Sequence, residues 1–423
     1  MENPSHRRVY FYRFYVIMSA LFLSFIPLAF VLDTPRDVYT GLIAILTSRS
    51  VLVTDYIAVG GLGAALVNTA IVGLASVLLM LFSGVKPNGA IIMALWLTPG
   101  FAFFGKNIFN MFPLTFGVWL FSKYNREPFL NYSLVALLVA TLSPAVSEVS
   151  FLGVFSRPVE MLLGILLGFL IGFIFPSVTS GTVNAYGGYN LYSMGFAGGL
   201  ISTFIVSGLK SVGIDILPVE IISGGNNLIL AAILYAISAA MICCGLFMGD
   251  VNKNVRGYRM IFKHSGRLVT DYFFMYQNSV YINIGVLGVF STSLVLLLGA
   301  QLNGPVIAGI FTVMGFGSFG KHLKNIIPVL VGAVVSAYIN KWDPSLTANV
   351  TAILFSTGLA PIAGQFGWIW GIVAGFLHVN IAMHIGYLNS GLNLYNNGFA
   401  AGLVAMFLLP LIIAFRKDKK NEG

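Results

Sequence analysis

Charge is scarce in this chain: 9% of its 423 residues are Asp, Glu, Lys or Arg, against about 25% in a typical soluble domain. So little charge cannot cover a water-facing surface, which excludes a soluble globular protein. Acidic residues are the rarer sign, 14 against 23 basic, and the apolar segments hold almost no acidic pairs. That disfavours a strongly proton-coupled relay. Cysteine is limited to Cys243 and Cys244, adjacent in an apolar run. Neither a disulfide framework nor a metal site fits that spacing, and both read as small buried hydrophobes. The P-loop, HExxH and Gly-x-Ser-x-Gly signatures are missing as well. No hydrolytic machinery is visible, so the chain is not read as an enzyme and no cofactor is expected. The period-two alternation of an outer-membrane barrel is also absent. The first apolar run, Phe14–Leu32, ends at Asp33-Thr34-Pro35, which offers no small-residue cleavage site, so it reads as a retained span.

What is present is apolar: 57% of residues are hydrophobic, and stretches of bilayer-spanning length recur from end to end. The net charge of +9 is carried at segment ends and in the loop Asp250–Asp271. That placement sets membrane topology and does not form an aromatic-interleaved basic stripe, so the lipid bilayer is an expected partner and nucleic acid is not.

The chain also says the same thing twice. Gly188–Leu200 reads GYNLYSMGFAGGL and Gly391–Leu403 reads GLNLYNNGFAAGL, identical at 9 of 13 positions. LVTDY occurs at Leu52–Tyr56 and at Leu268–Tyr272. Asn88 matches Asn303, Phe104 matches Phe319, Pro113 matches Pro328 and Pro144 matches Pro361, at a near-constant displacement of about 215 residues. The NLY phrase is displaced by about 203, as if a dozen residues were lost before it. A tandem duplication accounts for this order and spacing.

Charge bias and parity then give topology. The basic N-terminus, the Asp250–Asp271 loop and the basic tail (Arg416, Lys417, Lys419, Lys420) are expected in the cytoplasm. Counting every apolar segment gives 14 spans, and two re-entrant segments per repeat leave 10; both counts keep the two termini on one side. The repeats then insert in opposite orientations. The predicted fold is an all-α integral membrane protein of the plasma membrane. It comprises two inverted-topology repeats of about six apolar segments, with re-entrant or broken helices, an extra N-terminal span and a connecting span. The expected divisions are 1–50 (cytoplasmic start and first span), 51–210 (repeat one), 211–266 (connecting span and basic loop), 267–415 (repeat two) and 416–423 (tail).

Two pairs of segments carry the candidate site. Pro87–Asn107 and Leu302–His322 each hold a polar Asn-Gly turn, an apolar run too short to span, and Gly-Lys. Short, Gly-interrupted segments at matching places point to a transport site, and nominate Asn88, Gly89, Asn303 and Gly304 for the solute pathway. The NLY segments add Asn190, Tyr192, Asn393 and Tyr395; an amide suits a neutral polar solute, or alternatively only bonds across helices. Tyr189 is placed either in the pore or in an interfacial belt. Lys106 and Lys321 match and are candidate charged contacts, the plainer expectation being that they snorkel to the interface. Asp55 and Asp271 read as helix caps or as partners of a neighbouring Arg. Glu148 has no acidic counterpart in repeat two. His378 and His384 flank Asn380 in repeat two alone and read as buried, hydrogen-bonded histidines or as a proton path.

At these Asn-Gly and NLY segments the chain resembles a bacterial family of uncharacterised membrane proteins with two copies of a domain of unknown function. It is also similar, more distantly, to the urea transporters. The likeness rests on Asn88-Gly89-Ala90, Asn303-Gly304, Asn190 with Gly195-Phe196-Ala197, and the basic-Pro-Phe entry at Lys123–Leu134. The added first span and the spacing of the second motif depart from that pattern. The urea-transporter likeness implies a pore lined by two pseudo-symmetric half-helices in a homo-oligomer, commonly a trimer.

The leading expectation is a transporter or channel for a small polar solute. The alternatives are an ion-coupled secondary transporter and a non-transporting scaffold or lipid-handling protein. Inverted topology has a direct check: cysteines placed in Lys210–Glu220 and in Asp250–Asp271, on a background lacking Cys243 and Cys244, should label from opposite sides of the membrane. Labelling from one side contradicts the inverted arrangement.

Overall fold

The computed structural model describes residues 4–51, 53–216, 219–267 and 270–421. Leu52, Leu268 and Val269 of the LVTDY phrases lie outside the described residues, as do the side chains of Arg7, Arg8 and the basic residues from Arg416 onward. Among the described residues the chain is helical, without strands. The first half runs α1 (Pro4–Leu32), α2 (Pro35–Leu46), α3 (Tyr56–Gly60), α4 (Leu62–Phe82), α5 (Gly89–Gly100), α6 (Ile108–Tyr124), α7 (Ser133–Leu138), α8 (Ser143–Ser150), α9 (Arg157–Val183) and α10 (Ser193–Ser211). The second half repeats that order. It runs α11 (Asn227–Phe247), α12 (Val251–Ile261), α13 (Tyr272–Tyr276), α14 (Ser279–Leu297), α15 (Gly304–Gly315), α16 (Leu323–Ile339), α17 (Thr347–Ser356), α18 (Ala360–Phe366), α19 (Trp368–Ile385) and α20 (Asn396–Asn421).

The repetition reaches further than the sequence identities do. α1 packs on α4 as α11 packs on α14. A Cβ on Gly73 would lie 2.6 Å from the Phe22 ring, and one on Gly288 would strike the Ser238 hydroxyl at the matching place. The first span and the connecting span are therefore equivalents, each opening its own half. Among the described residues, nine helical stretches are long and apolar enough to cross a membrane. Large apolar side chains stand in the open on this shell, Phe82 at 87% and Leu228 at 84% exposure, which suits lipid and not water.

Helices α5 and α15 are the short members expected from the Asn-Gly segments. Asn88 and Asn303 cap them, accepting from Ile91 N (2.9 Å) and Val306 N (3.2 Å). Just beyond each, Gly105 (φ +79°) and Gly320 (φ +102°) take the left-handed conformation that turns the chain out of the helix. Twelve residues rise about 18 Å, well short of a bilayer core about 30 Å thick. The two half-helices pack against each other head to tail. Ser318 Oγ, beyond the end of α15, donates to Gly89 O at the start of α5 (2.8 Å), and a Cβ on Gly304 would meet Phe103 O at 2.5 Å. Equivalent helices that run antiparallel are related by a two-fold axis perpendicular to them. With such helices along the membrane normal, that axis lies in the membrane plane, as inverted repeats require.

Lipid gives apolar helices no hydrophobic reason to associate, so small residues bring their backbones close. α6 meets α9 through Gly117 and Gly172, and α16 meets α19 through Gly332 and Gly375. A Cβ on Gly172 would run into the Leu114 carbonyl, whereas one on Gly208 in α10 would meet nothing within 4 Å. Gly172→Ala should lower stability by about 1–3 kcal/mol in detergent unfolding. Gly208→Ala should match or exceed wild type by about 0.5 kcal/mol.

Candidate functional site

Each half contains two broken helices. The first break is the Phe-Gly-Lys turn after α5 or α15. It leaves carbonyls that one amide collects: Asn68 Nδ2, from α4, donates to Ala102 O (2.7 Å) and Lys106 O (2.9 Å). Asn283 Nδ2, from α14, does the same for Gly317 O (2.7 Å) and Lys321 O (2.8 Å). The second break separates α7 from α8 and α17 from α18, through 3-10 turns at Val139–Leu142 and Thr357–Leu359 just before Pro144 and Pro361. Proline lacks the N–H that a continuous helix would need there.

The NLY loops dock on the second break of the opposite half. Leu394 N donates to Thr141 O (2.9 Å), and Leu191 N donates to Gly358 O (3.0 Å). Asn190 Nδ2 donates to Gly398 O (3.2 Å) while its Oδ1 accepts from Tyr192 N (2.9 Å). Asn393 mirrors it, with Nδ2 to Gly195 O (3.0 Å) and Oδ1 taking Tyr395 N (3.1 Å) and the Thr141 hydroxyl (2.6 Å). Gly195 and Gly398 let the two loops touch: a Cβ on either would meet the Cα of the other at about 3 Å.

This docking drives Tyr192 and Tyr395 to the lysines of the first break. Lys106 Nζ donates to Tyr395 OH, and Lys321 Nζ donates to Tyr192 OH and to Thr357 Oγ1 (2.8 Å). Both lysines are completely buried. Each ammonium also lies 4.5 Å from the ring centroid of its tyrosine, with Phe101 at 5.2 Å from Lys106 and Phe316 at 4.8 Å from Lys321. Neither has a carboxylate partner among the described residues; the buried carboxylate of Glu148 pairs with Arg49. Tyr192 and Tyr395 both line a cavity of about 170 Å³. Met93, Leu97 and Phe101 form its wall on one side and Thr312, Phe316 and Phe319 on the other, with Leu191–Gly195 and Leu394, Tyr395 and Gly398 between them. Both halves therefore contribute equivalent walls.

The nominated residues divide. Tyr192 and Tyr395 line the cavity. Asn190 and Asn393 are fully buried and hold backbone across the repeats, one layer behind it. Asn88 is exposed and Asn303 is buried, donating to Thr347 Oγ1 (2.7 Å); both act as caps. Gly89 N and Gly304 N do not face the cavity. Gly89 N donates to the Asp271 carboxylate of the other half (2.8 Å), and the Asp55 carboxylate lies against Gly304 at the matching place. Those carboxylates also cap α3 and α13, from Ile57 N and Phe274 N, as expected of LVTDY. The snorkelling expected of Lys106 and Lys321 does not occur, because the short helix ends inside the protein and the chain turns back there. Tyr189 lies away from the cavity, stacked on Phe366 with Arg267 over its ring. Glu148 is buried under bidentate contact from Arg49. His378 bonds Asn397 (3.2 Å) and His384 bonds Asn380 O (2.8 Å). Sequence reasoning missed Asn68, Asn283, Thr141 and Thr357, although each pair obeys the same displacement and carrying the alignment of the halves onward would have found them.

These features define a polytopic α-helical membrane protein built as two repeats around one buried polar centre. The chain belongs to the family described as protein of unknown function (DUF1576), whose profile matches residues 34–211 and again residues 251–414. No curated protein and no solved structure matches the chain.

A lysine buried without a counter-ion lowers stability, so removing it together with its acceptor should not. Lys106→Met combined with Tyr395→Phe should unfold within about 1 kcal/mol of wild type or above it. Tyr395→Phe alone, which leaves the Lys106 ammonium without its acceptor, should lose about 2 kcal/mol. Thermal unfolding in detergent reads both.

Proposed function

We propose that this protein carries a small polar solute across the plasma membrane along a pathway between its inverted repeats, and that it is a carrier or channel and not an enzyme. The observation that carries this reading is the cavity at the crossing of the repeats, walled by broken helices from both halves and flanked by two buried lysines. Irregular backbone and buried charge at membrane depth occur where they serve a solute path. In this reading both termini are cytoplasmic, and copies of the chain associate as a homo-oligomer. Facilitated passage is better supported than ion coupling. The carbonyls at the first breaks, which a coupling ion would need, are already taken by Asn68 and Asn283. A scaffold packed solid through its glycines fits less well, because the centre is hollow.

Flux of small solutes into liposomes containing the purified protein tests the reading. Ala90 lies on the cavity wall, and Ala90→Trp should cut flux about tenfold while the protein remains folded. Folded wild-type protein that moves no small solute, or unchanged flux in the filled variant, overturns it.

A further inference from the structure

The charge of the solute can be read from what the cavity lacks. Its wall is almost wholly hydrocarbon and aromatic; the polar side chains on it are Tyr192, Ser193, Thr312, Tyr395 and Asn397, and Lys321 and Lys106 stand behind the two tyrosines. An ammonium has three N–H groups to place. Lys321 Nζ places two, on Tyr192 OH and Thr357 Oγ1; Lys106 Nζ places one, on Tyr395 OH. The difference has a local cause. Thr141, the equivalent of Thr357, donates its hydroxyl to Asn393 Oδ1 and takes Tyr395 N, so its oxygen is turned from Lys106. Two buried lysines therefore stand behind the tyrosines of one apolar space, with no carboxylate for either among the described residues and hydrogen-bonding capacity left over at the Lys106 end.

We infer that the solute is a small oxyanion with an apolar body. Its carboxylate or comparable head seats against the Lys106–Tyr395 pair, and its hydrocarbon fills the space bounded by Leu97, Phe316 and Phe355. The anion supplies the counter-charge and the missing acceptors. The Lys321–Tyr192 pair, equivalent by the repeat, forms the second seat on the opposite side of the path. The cavity of about 170 Å³ is close to the engineered cavity of about 150 Å³ that admits benzene, which sets the solute at on the order of six to eight non-hydrogen atoms. This assignment rests on the transport reading for its context, but its test is separate.

Pentanoate and its neutral isostere pentanamide match that size. Calorimetric titration of the purified full-length protein with each, near neutral pH, should show pentanoate binding about tenfold or more tightly than the amide. Lys106→Gln should erase that preference, Lys321→Gln should weaken it less, and the double variant Lys106→Met/Tyr395→Phe guards against a merely misfolded single variant. Equal binding of the amide, or an intact preference in the folded double variant, overturns the anion assignment. Liposome uptake of butane-1-sulfonate, which stays ionised and crosses lipid poorly, separates the two claims. Anion-selective binding without uptake leaves this site standing and removes transport. Uptake of neutral solutes with no preference for anions does the reverse.

Discussion

A helix broken inside a bilayer frees N–H and C=O groups that no water can reach, and every one of them must find a partner within the protein. This chain breaks helices four times at its centre, and its arrangement follows from how those breaks are satisfied. An amide from a neighbouring full-length helix collects the carbonyls at each Phe-Gly-Lys turn. The other contacts are made by the opposite half. Asp55 and Asp271 take the N-termini of the half-helices, and the NLY loops seal the second breaks. Neither half closes its polar backbone alone, so the two must fold as one body.

The same exchange fixes the lysines. A lysine at the end of an 18 Å helix is too deep to reach water, and the tyrosine that receives it comes from the other half, placed there by the asparagine that precedes it in the NLY phrase. Asn393 is thus a positioning residue for Tyr395, and Asn190 for Tyr192. The two-fold is obeyed in outline and broken in detail. Thr357 serves Lys321 while Thr141 serves Asn393, and Arg49 pairs with Glu148 where the second half has no acid. Such departures make the two lysine–tyrosine pairs unlike where strict symmetry would make them identical.

How much was legible in the sequence depends on how local each feature is. The caps at Asp55 and Asp271 are decided within a few residues and were legible in the chain, whereas Asn88 and Asn303, nominated for the solute pathway, proved to be caps of the same local kind. The equivalence of α1 with α11 was hidden, because a lipid-facing span asks only for apolar residues and keeps no identities through duplication. Asn68 and Asn283 were visible as polar residues at matching positions in apolar helices. Nothing near them in sequence, however, names the carbonyls they hold some thirty-four to thirty-eight residues away.

The sequence by itself determined the solvent of this protein, its duplication, the short Asn-Gly segments where the first pair of helices breaks, and the opposed charge bias from which inversion was argued. These follow from composition, spacing and backbone chemistry, which act locally or sum along the chain. Tertiary structure alone decided that Asn190 and Asn393 hold backbone across the repeats, that Lys106 and Lys321 are buried against tyrosines of the opposite half, and that a hollow remains beside those tyrosines. The physical reason is that each of these contacts joins groups more than a hundred residues apart. Their partners are chosen by where two docked repeats leave unsatisfied polar groups, and no short stretch of sequence contains that choice.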